Sequence, residues 1–286
     1  MNVEFYKYQG TGNDFIMIDD RKNDFDHNDH QLINKLCSRK FGIGADGLIL
    51  IRDHADHNFE MVYFNADGYP SSLCGNGGRC AVHFANYLSI IDNKCRFKAI
   101  DGEHEAFIDD LIPDTPKTKV KQTGLIHLKM NDVTLIEKKP ARPQSSSSMP
   151  AGGSEYYLLD TGSPQYVSFV DNLTDFDVKN NGRRIRNSQR FRKEGINVNF
   201  AEKISNDTIF VRSYERGVED ETLSCGTGVT AAALTGALNG ISSPVKIKTL
   251  GGELKVIFKK VNKNNFRDIY LIGPVEMIYK GEILLS

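Results

Sequence analysis

Two stretches of this chain are apolar on nearly every face of the helix each would form, and that decides where they can sit. Residues 80–90, CAVHFANYLSI, and residues 229–241, VTAAALTGALNGI, have no polar stripe to turn toward water, so each must be surrounded by other elements. The rest of the chain supplies strands to do this. Runs with β-branched and aromatic content occur at 3–8, 15–19, 48–52, 59–65 and 96–100. A second set lies at 156–160, 166–170, 198–203, 208–213, 245–249 and 269–280, the last broken by Gly273 and Pro274. An ordinary helix with one apolar face is expected over 28–39. These patterns predict an α/β (α+β) fold of two similar β-rich, barrel-like rolls, each wrapped round a central helix.

A short internal repeat supports two related halves. Residues 73–81, LCGNGGRCA, align with residues 224–232, SCGTGVTAA, so that Cys-Gly-x-Gly opens both apolar helices. Weaker echoes stand upstream, YFNADG before the first and VRSYERG before the second. A length of 286 residues also suits two domains. The Ser-, Gly- and Pro-rich segment at 142–155 reads as a surface loop within the second half.

The chemistry of those helix openings follows from backbone geometry. A helix's first turn presents unpaired N–H groups and the positive end of the macrodipole, which favour an anion. Glycines let a ligand approach closely, and a cysteine at such a terminus is pushed toward thiolate. Two such ends meeting one substrate would hold a carboxylate between two thiols. That suits removal of the proton beside a carboxylate and its return on the opposite face, one cysteine as thiolate base and the other as thiol acid. Without an electron sink, charge develops on the carboxylate oxygens, where helix donors stabilise it; loss of one such donor typically costs about 10²–10³ in rate. Cys74 and Cys225 are the candidates. Cys80, inside the first apolar helix, and Cys37 and Cys95, without glycine-rich flanks, read as core.

Polar residues in turns come next: Asn13 in GTGNDF, Asn65 in FNADG, Asn197 in GINVNF, and Glu215 with Arg216 in YERG. Each asparagine alone fits turn chemistry, and Glu215-Arg216 fits a solvated pair. Together they offer a carboxylate for an ammonium group, and a guanidinium with amides for a second carboxylate. His27 with His30 and His54 with His57 lie in polar stretches with no further ligand nearby and read as surface. GNGGR lacks the Lys-Ser/Thr of a phosphate loop. A formal net charge of −1 argues against nucleic-acid or membrane-surface partners and for a small molecule. With no signal-like segment or bilayer-length apolar run, the cytoplasm is the expected compartment, where the five cysteines would stay reduced.

The motifs GTGNDFIMID, FGIGADGLIL, FNADG, CGNGGRCA, GINVNF and VRSYERGVEDETLSCGTGVTAAAL together resemble the diaminopimelate epimerases over almost the whole chain. The resemblance implies two α/β rolls with the active site in the interdomain cleft. It also implies a final strand, 273–286, that returns to the first unit, giving units 1–122 with 273–286 and 123–272. It makes Cys74 and Cys225 the acid/base pair and gives the reacting carboxylate to the backbone at Gly75-Asn76 and Gly226-Thr227. Glu215 would take the reacting ammonium, and Asn13, Asn65, Asn197 and Arg216 the distal end. The implied reaction interconverts L,L- and meso-diaminopimelate without pyridoxal phosphate or metal, in bacterial lysine and peptidoglycan precursor synthesis.

Some positions depart from the family pattern. Ser163-Pro164-Gln165 stands where the family commonly has Asn-Pro-His, and Gly47 where some members have Gln; Gln165 cannot titrate as His would. The alternatives are a related proline- or hydroxyproline-type racemase and a non-catalytic amino-acid-binding protein. The oligomeric state stays open, with a homodimer as the candidate.

Overall fold

The computed structural model describes residues 2–71, 73–109, 123–140 and 155–285. The chain divides into two compact units, Met1–Leu128 with Gly273–Ser286, and Lys129–Ile272.

In unit 1 the strands are β1 (Asn2–Gly10), β2 (Asn13–Asp19), β3 (Gly47–Arg52), β4 (Phe59–Asn65), β5 (Lys94–Ala99), β6 (Gly102–Asp109) and β7 (Thr123–Lys129), with helices α1 (His30–Cys37) and α2 (Gly75–Tyr87). Neighbours follow chain order from β1 to β7. Residues 273–284 of the last strand, β16 (Phe266–Leu284), pair with β7 on one side and β1 on the other, which closes the sheet into an eight-stranded barrel. Closure removes the exposed sheet edges that an open roll would carry. β2 and β3 are parallel across α1, and β4 and β5 are parallel across α2.

The two helices differ as their sequences require. α1 buries one stripe, Ile33, Leu36 and Cys37, and Asp29 caps it by accepting from the Leu32 N–H at 2.9 Å. α2 is buried from Gly75 to Ala85 and packs against β1, β2, β3, β4 and β6. It starts five residues earlier than the apolar run suggested, because the glycines of GNGG form its first turn. Two of them are packed: a Cβ on Gly77 would lie 3.0 Å from Ile49 Cδ1, and one on Gly78 would lie 2.9 Å from Leu73 Cδ1.

Unit 2 contains β8 (Glu137–Pro140), β9 (Glu155–Asp160), β10 (Pro164–Phe169), α3 (Val178–Arg186), β11 (Asn197–Lys203), β12 (Thr208–Glu215), β13 (Asp220–Thr222), α4 (Gly226–Leu238), β14 (Val245–Thr249) and β15 (Gly252–Lys260). Strand order is β16-β15-β14-β12-β11-β10-β9-β8, with residues 266–272 supplying β16 here. The crossovers repeat those of unit 1: β10 and β11 are parallel across α3, and β12 and β14 across α4. α4 is buried at all positions from Gly226 to Ala237 but Thr227 and packs on β9, β10, β11, β12, β14 and β15. α3 covers the opposite cluster of Tyr166, Val198, Phe200 and Tyr214.

Several local expectations change. β7 belongs to unit 1, not to the start of the second unit. Its residues pair with β6, and Ile126 and Leu128 are fully buried there. The last strand is not broken at Gly273-Pro274. Pairing passes at that point from β15, ending at Ile272, to β7, starting at Gly273, so a proline without an N–H sits where the partner changes. β6, β15 and α3 had no counterpart in the sequence reading; β15 alternates buried Leu254, Val256 and Phe258 with exposed or half-buried residues. Most of the Ser/Gly/Pro-rich segment at 142–155 lies outside the described residues.

Candidate active site

Each motif cysteine is the residue just before a buried helix. In unit 1, Cys74 is the N-cap of α2, in extended conformation, and its carbonyl accepts from the Gly78 N–H at 2.7 Å. In unit 2, Cys225 is the N-cap of α4, and its sulfur accepts from the Gly228 N–H at 3.4 Å. Gly228 is required there, since a Cβ would lie 2.1 Å from Asn199 Oδ1 and 3.2 Å from Cys225 Sγ. Cys225 is buried and Cys74 half-buried. The other three thiols are core. Burial pushes Cys37 and Cys95 up to about 12 and raises Cys80 as well, so all three stay protonated at neutral pH.

Around Cys74 the structure assembles a polar line that the sequence showed only in part. Arg79, one turn into α2, is fully buried. Its Nη2 donates to Thr11 Oγ1 at 2.7 Å and to Asn76 Oδ1 at 2.9 Å, while Nη1 donates to the Gly75 carbonyl at 3.3 Å. Among the described residues it has no carboxylate partner, and its Nε has no hydrogen bond. Desolvation brings the guanidinium down to about 10. Thr11 is itself unusual: a β-branched residue at φ 50°, followed by Gly12 at φ 90°, in the two-residue turn joining Gly10 to Asn13. Arg79 holds that strained residue from behind.

The line continues outward. Asn76 Nδ2 donates to Asn13 Oδ1 at 2.8 Å, and Asn13 Nδ2 donates to Asp46 Oδ2 at 2.8 Å. Arginine can only donate and an ionised carboxylate can only accept, so the two ends fix which way both amides face. Arg39 bridges Asp46 and Asp14, each at 2.7 Å, and Lys7 meets Asp14 at 2.7 Å. Burial would raise the Asp14 carboxyl, but the hydrogen bonds from Arg39 and Lys7 bring it down to about 2. Asn65 stands apart from this line, exposed at the end of β4 and paired in register with Gly47. A side chain at 47 has no room: its Cβ would lie 2.5 Å from the Phe64 carbonyl and 2.6 Å from the Tyr63 ring, which occupies that space.

Unit 2 gathers its candidates more tightly. Asn197 Oδ1 accepts from the Arg216 N–H at 2.9 Å, and its Nδ2 donates to Ser163 Oγ at 3.2 Å. Glu215 accepts from Thr222 Oγ1. Arg216 Nη1 donates to the Glu194 carbonyl at 3.1 Å, crossing Gly195, where a Cβ would strike Arg216 Cδ at 2.4 Å. Thr161 Oγ1 holds the Thr227 carbonyl at 2.9 Å at the start of α4. Gln165 is fully buried and donates through Nε2 to Thr227 Oγ1 at 3.0 Å. It fills the histidine position of the family pattern with a hydrogen-bonding but non-titrating group.

Thr11, Asp46, Arg79, Thr161, Asn199 and Ser213 were missed at the sequence level. A lone arginine in an otherwise apolar helix was a signal for Arg79, and Asn199 falls two residues from Asn197, on the same strand face. The partners of Thr11 and Asp46 are set by tertiary packing. In the first His-x-x-His pair the two rings have separate partners: Arg52 Nη2 lies 3.0 Å from His27 Nδ1, and His30 Nδ1 lies 2.8 Å from the Gly68 carbonyl. Nδ1 of His54 and Nδ1 of His57 are 3.1 Å apart. Among the described residues no cluster of three or more His, Cys, Asp or Glu could hold a metal ion, and no helix is long and apolar enough to cross a membrane.

A family profile described as diaminopimelate epimerase matches residues 5–112 and 157–278. The chain is 45% identical to the diaminopimelate epimerase of Flavobacterium psychrophilum, covering 98% of this chain and 100% of that one. The chain belongs to the diaminopimelate epimerase family. It is 40% identical to the Chlorobaculum tepidum diaminopimelate epimerase, over 96% of this chain and 99% of the relative. As a member of this family it is an isomerase. Solved structures share its fold at low identity. A PhzF-family phenazine biosynthesis protein of Bacillus anthracis aligns with TM-score 0.71 at 14% identity, covering all of both chains. A hydroxyproline epimerase from Agrobacterium vitis aligns with TM-score 0.68 at 13% identity, covering 99% of this chain and 93% of that one. The mixed α/β architecture expected from the two buried helices is therefore that of a known fold group.

Proposed function

We propose that this diaminopimelate epimerase family member interconverts L,L- and meso-2,6-diaminopimelate, with Cys74 and Cys225 as the acid/base pair, in lysine and peptidoglycan precursor synthesis. One observation carries the reading: the same arrangement occurs twice, a cysteine at the N-cap of a buried helix whose first turn is Gly-x-Gly. A thiolate takes the α-proton, charge builds on the carboxylate, and the opposed thiol returns a proton to the other face. The backbone at Gly75-Asn76 and Gly226-Thr227 is assigned the carboxylate, because helix N-terminal donors meet the charge where it develops. Glu215 is assigned the reacting ammonium, and Asn13, Asn65, Asn197 and Arg216 the distal amino-acid end. The full-length identity to relatives named for diaminopimelate favours that substrate over proline or hydroxyproline.

The test is incubation with L,L-diaminopimelate in D2O. Deuterium should enter at the inverted carbon, and Cys74→Ala and Cys225→Ala should each abolish inversion. Absence of exchange by the wild type would overturn the assignment, and turnover of hydroxyproline instead would move it to the other substrate class.

A further inference from the structure

We infer that Cys225 rests as a thiolate because a hydrogen-bond chain of forced direction ends on its sulfur, with Gln165 and Thr227 as positioning residues. This deepens the epimerase reading of the same site.

The direction is set at the far end of the chain. The Tyr166 carbonyl can only accept, and Asn199 Nδ2 lies 3.1 Å from it, so the nitrogen of that amide faces this way. Asn199 Oδ1 then accepts from Ser213 Oγ at 2.7 Å. The same Nδ2 lies 2.9 Å from Gln165 Oε1, so Gln165 must turn its NH2 group the other way. That group donates to Ser163 Oγ at 2.7 Å and to Thr227 Oγ1 at 3.0 Å.

A second line fixes Ser163 independently. The Arg216 backbone N–H can only donate, so Asn197 presents its oxygen there and its Nδ2 to Ser163 Oγ at 3.2 Å. Ser163 Oγ thus receives two donors, and its own proton points to Thr227 Oγ1 at 3.2 Å. Thr227 Oγ1 likewise receives two donors, from Gln165 and Ser163. Its proton is left for Cys225 Sγ, 3.5 Å away. The Gly228 N–H donates to the same sulfur at 3.4 Å. Two donors aimed at one sulfur at a helix N-terminus favour its charged form.

The amides and hydroxyls that lead to the sulfur carry no titrating proton. Among the described residues of this unit, the titratable side chains on the strand faces packed against α4 are Glu215 on β12, Glu155 and Tyr157 on β9, Lys203 on β11 and Lys260 on β15. Glu215 shares the face of Ser213 and accepts from Thr222. Glu155 pairs with Lys138 at 2.6 Å, and Lys203 is exposed at its strand end. Tyr157 Oη donates to Asn239 Oδ1 at 3.1 Å and Lys260 Nζ to the Ala237 carbonyl at 3.0 Å, both at the opposite end of α4.

The experiment follows thiolate absorbance against pH, as the difference between wild type and Cys225→Ala, and again in Thr227→Val and Thr227→Ser backgrounds. The wild-type midpoint should fall below that of an ordinary thiol, about 8.5. Thr227→Val, isosteric but without a hydroxyl, should raise it by about one unit, a tenfold change in the thiolate-to-thiol ratio expected on losing one hydrogen bond to a charged acceptor. Thr227→Ser should restore it. A wild-type midpoint at or above the ordinary value, or an unchanged midpoint in Thr227→Val, overturns the inference. If Thr227→Val does not fold, the wild-type midpoint alone decides. Because the readout needs no turnover, a low midpoint in a protein that exchanges no deuterium would sink only the epimerase assignment.

Discussion

Gly228→Ala is the substitution that the packing at the start of α4 opposes most sharply. The added Cβ would stand 2.1 Å from Asn199 Oδ1, so Asn199 must retreat by about 1 Å. It cannot do so cheaply, because its amide is tied to Gln165, the Tyr166 carbonyl and Ser213 within a buried strand. Overpacking of this kind costs about 1–3 kcal/mol, and a buried hydrogen bond lost at Asn199 costs about 1–3 kcal/mol more. Alanine in place of glycine within a helix returns only about 0.5–1 kcal/mol. The balance is a loss of roughly 1–5 kcal/mol, read from the urea midpoint at constant m-value, with catalytic activity falling as well because Asn199 supports Gln165 and the Cys225 end of α4. Gly77→Ala in α2 is the comparison: its nearest neighbour is the terminal methyl of Ile49 at 3.0 Å, which can turn aside, so the change should stay within about 1 kcal/mol. Equal stability of Gly228→Ala and wild type would refute the packing argument.

Other outcomes follow from the same contacts. Arg79→Met should unfold at an equal or higher urea concentration than wild type, since a buried cation without a carboxylate partner is replaced by an apolar side chain. The same variant should lose at least about tenfold in kcat/KM, because Asn76 and Asn13 lose the donor that orients them; a stability loss with unchanged kinetics would contradict this. The Asp14 carboxyl is held at about 2 in the folded protein, below its unfolded value, so its contribution is complete above about pH 4 and disappears as pH falls through about 2. Asp14→Asn should therefore cost about 1–2 kcal/mol at neutral pH, a gap that closes in acid denaturation profiles near pH 2. Iodoacetamide at neutral pH should modify Cys74 and Cys225 but leave Cys37, Cys80 and Cys95 unmodified until the chain unfolds, as peptide mass spectrometry would show.

Elements whose pattern is local can be read from the residues alone. An all-apolar helix has to be buried, and a repeated Cys-Gly-x-Gly has to form the same kind of helix opening twice, so the two-part architecture and the two candidate thiols are legible in the residues alone. The family motifs were legible for the same reason, since they lie in contiguous runs. What the tertiary structure decided depends on residues far apart in the chain. Arg79 meets Thr11 and Asn76 meets Asn13 only because α2 packs against β1 and β2. Gln165, Asn199, Ser213 and Thr227 come from four different elements, and none of their hydrogen bonds is implied by spacing. The extent of β16 was equally hidden, because a glycine-proline pair marks a break only when the strand keeps a single partner. Here the partner changes at that point and the strand continues. Hydrogen-bond direction in these lines is fixed by end groups that can only donate or only accept, so the orientation of the amides between them is a property of the fold rather than of any short sequence.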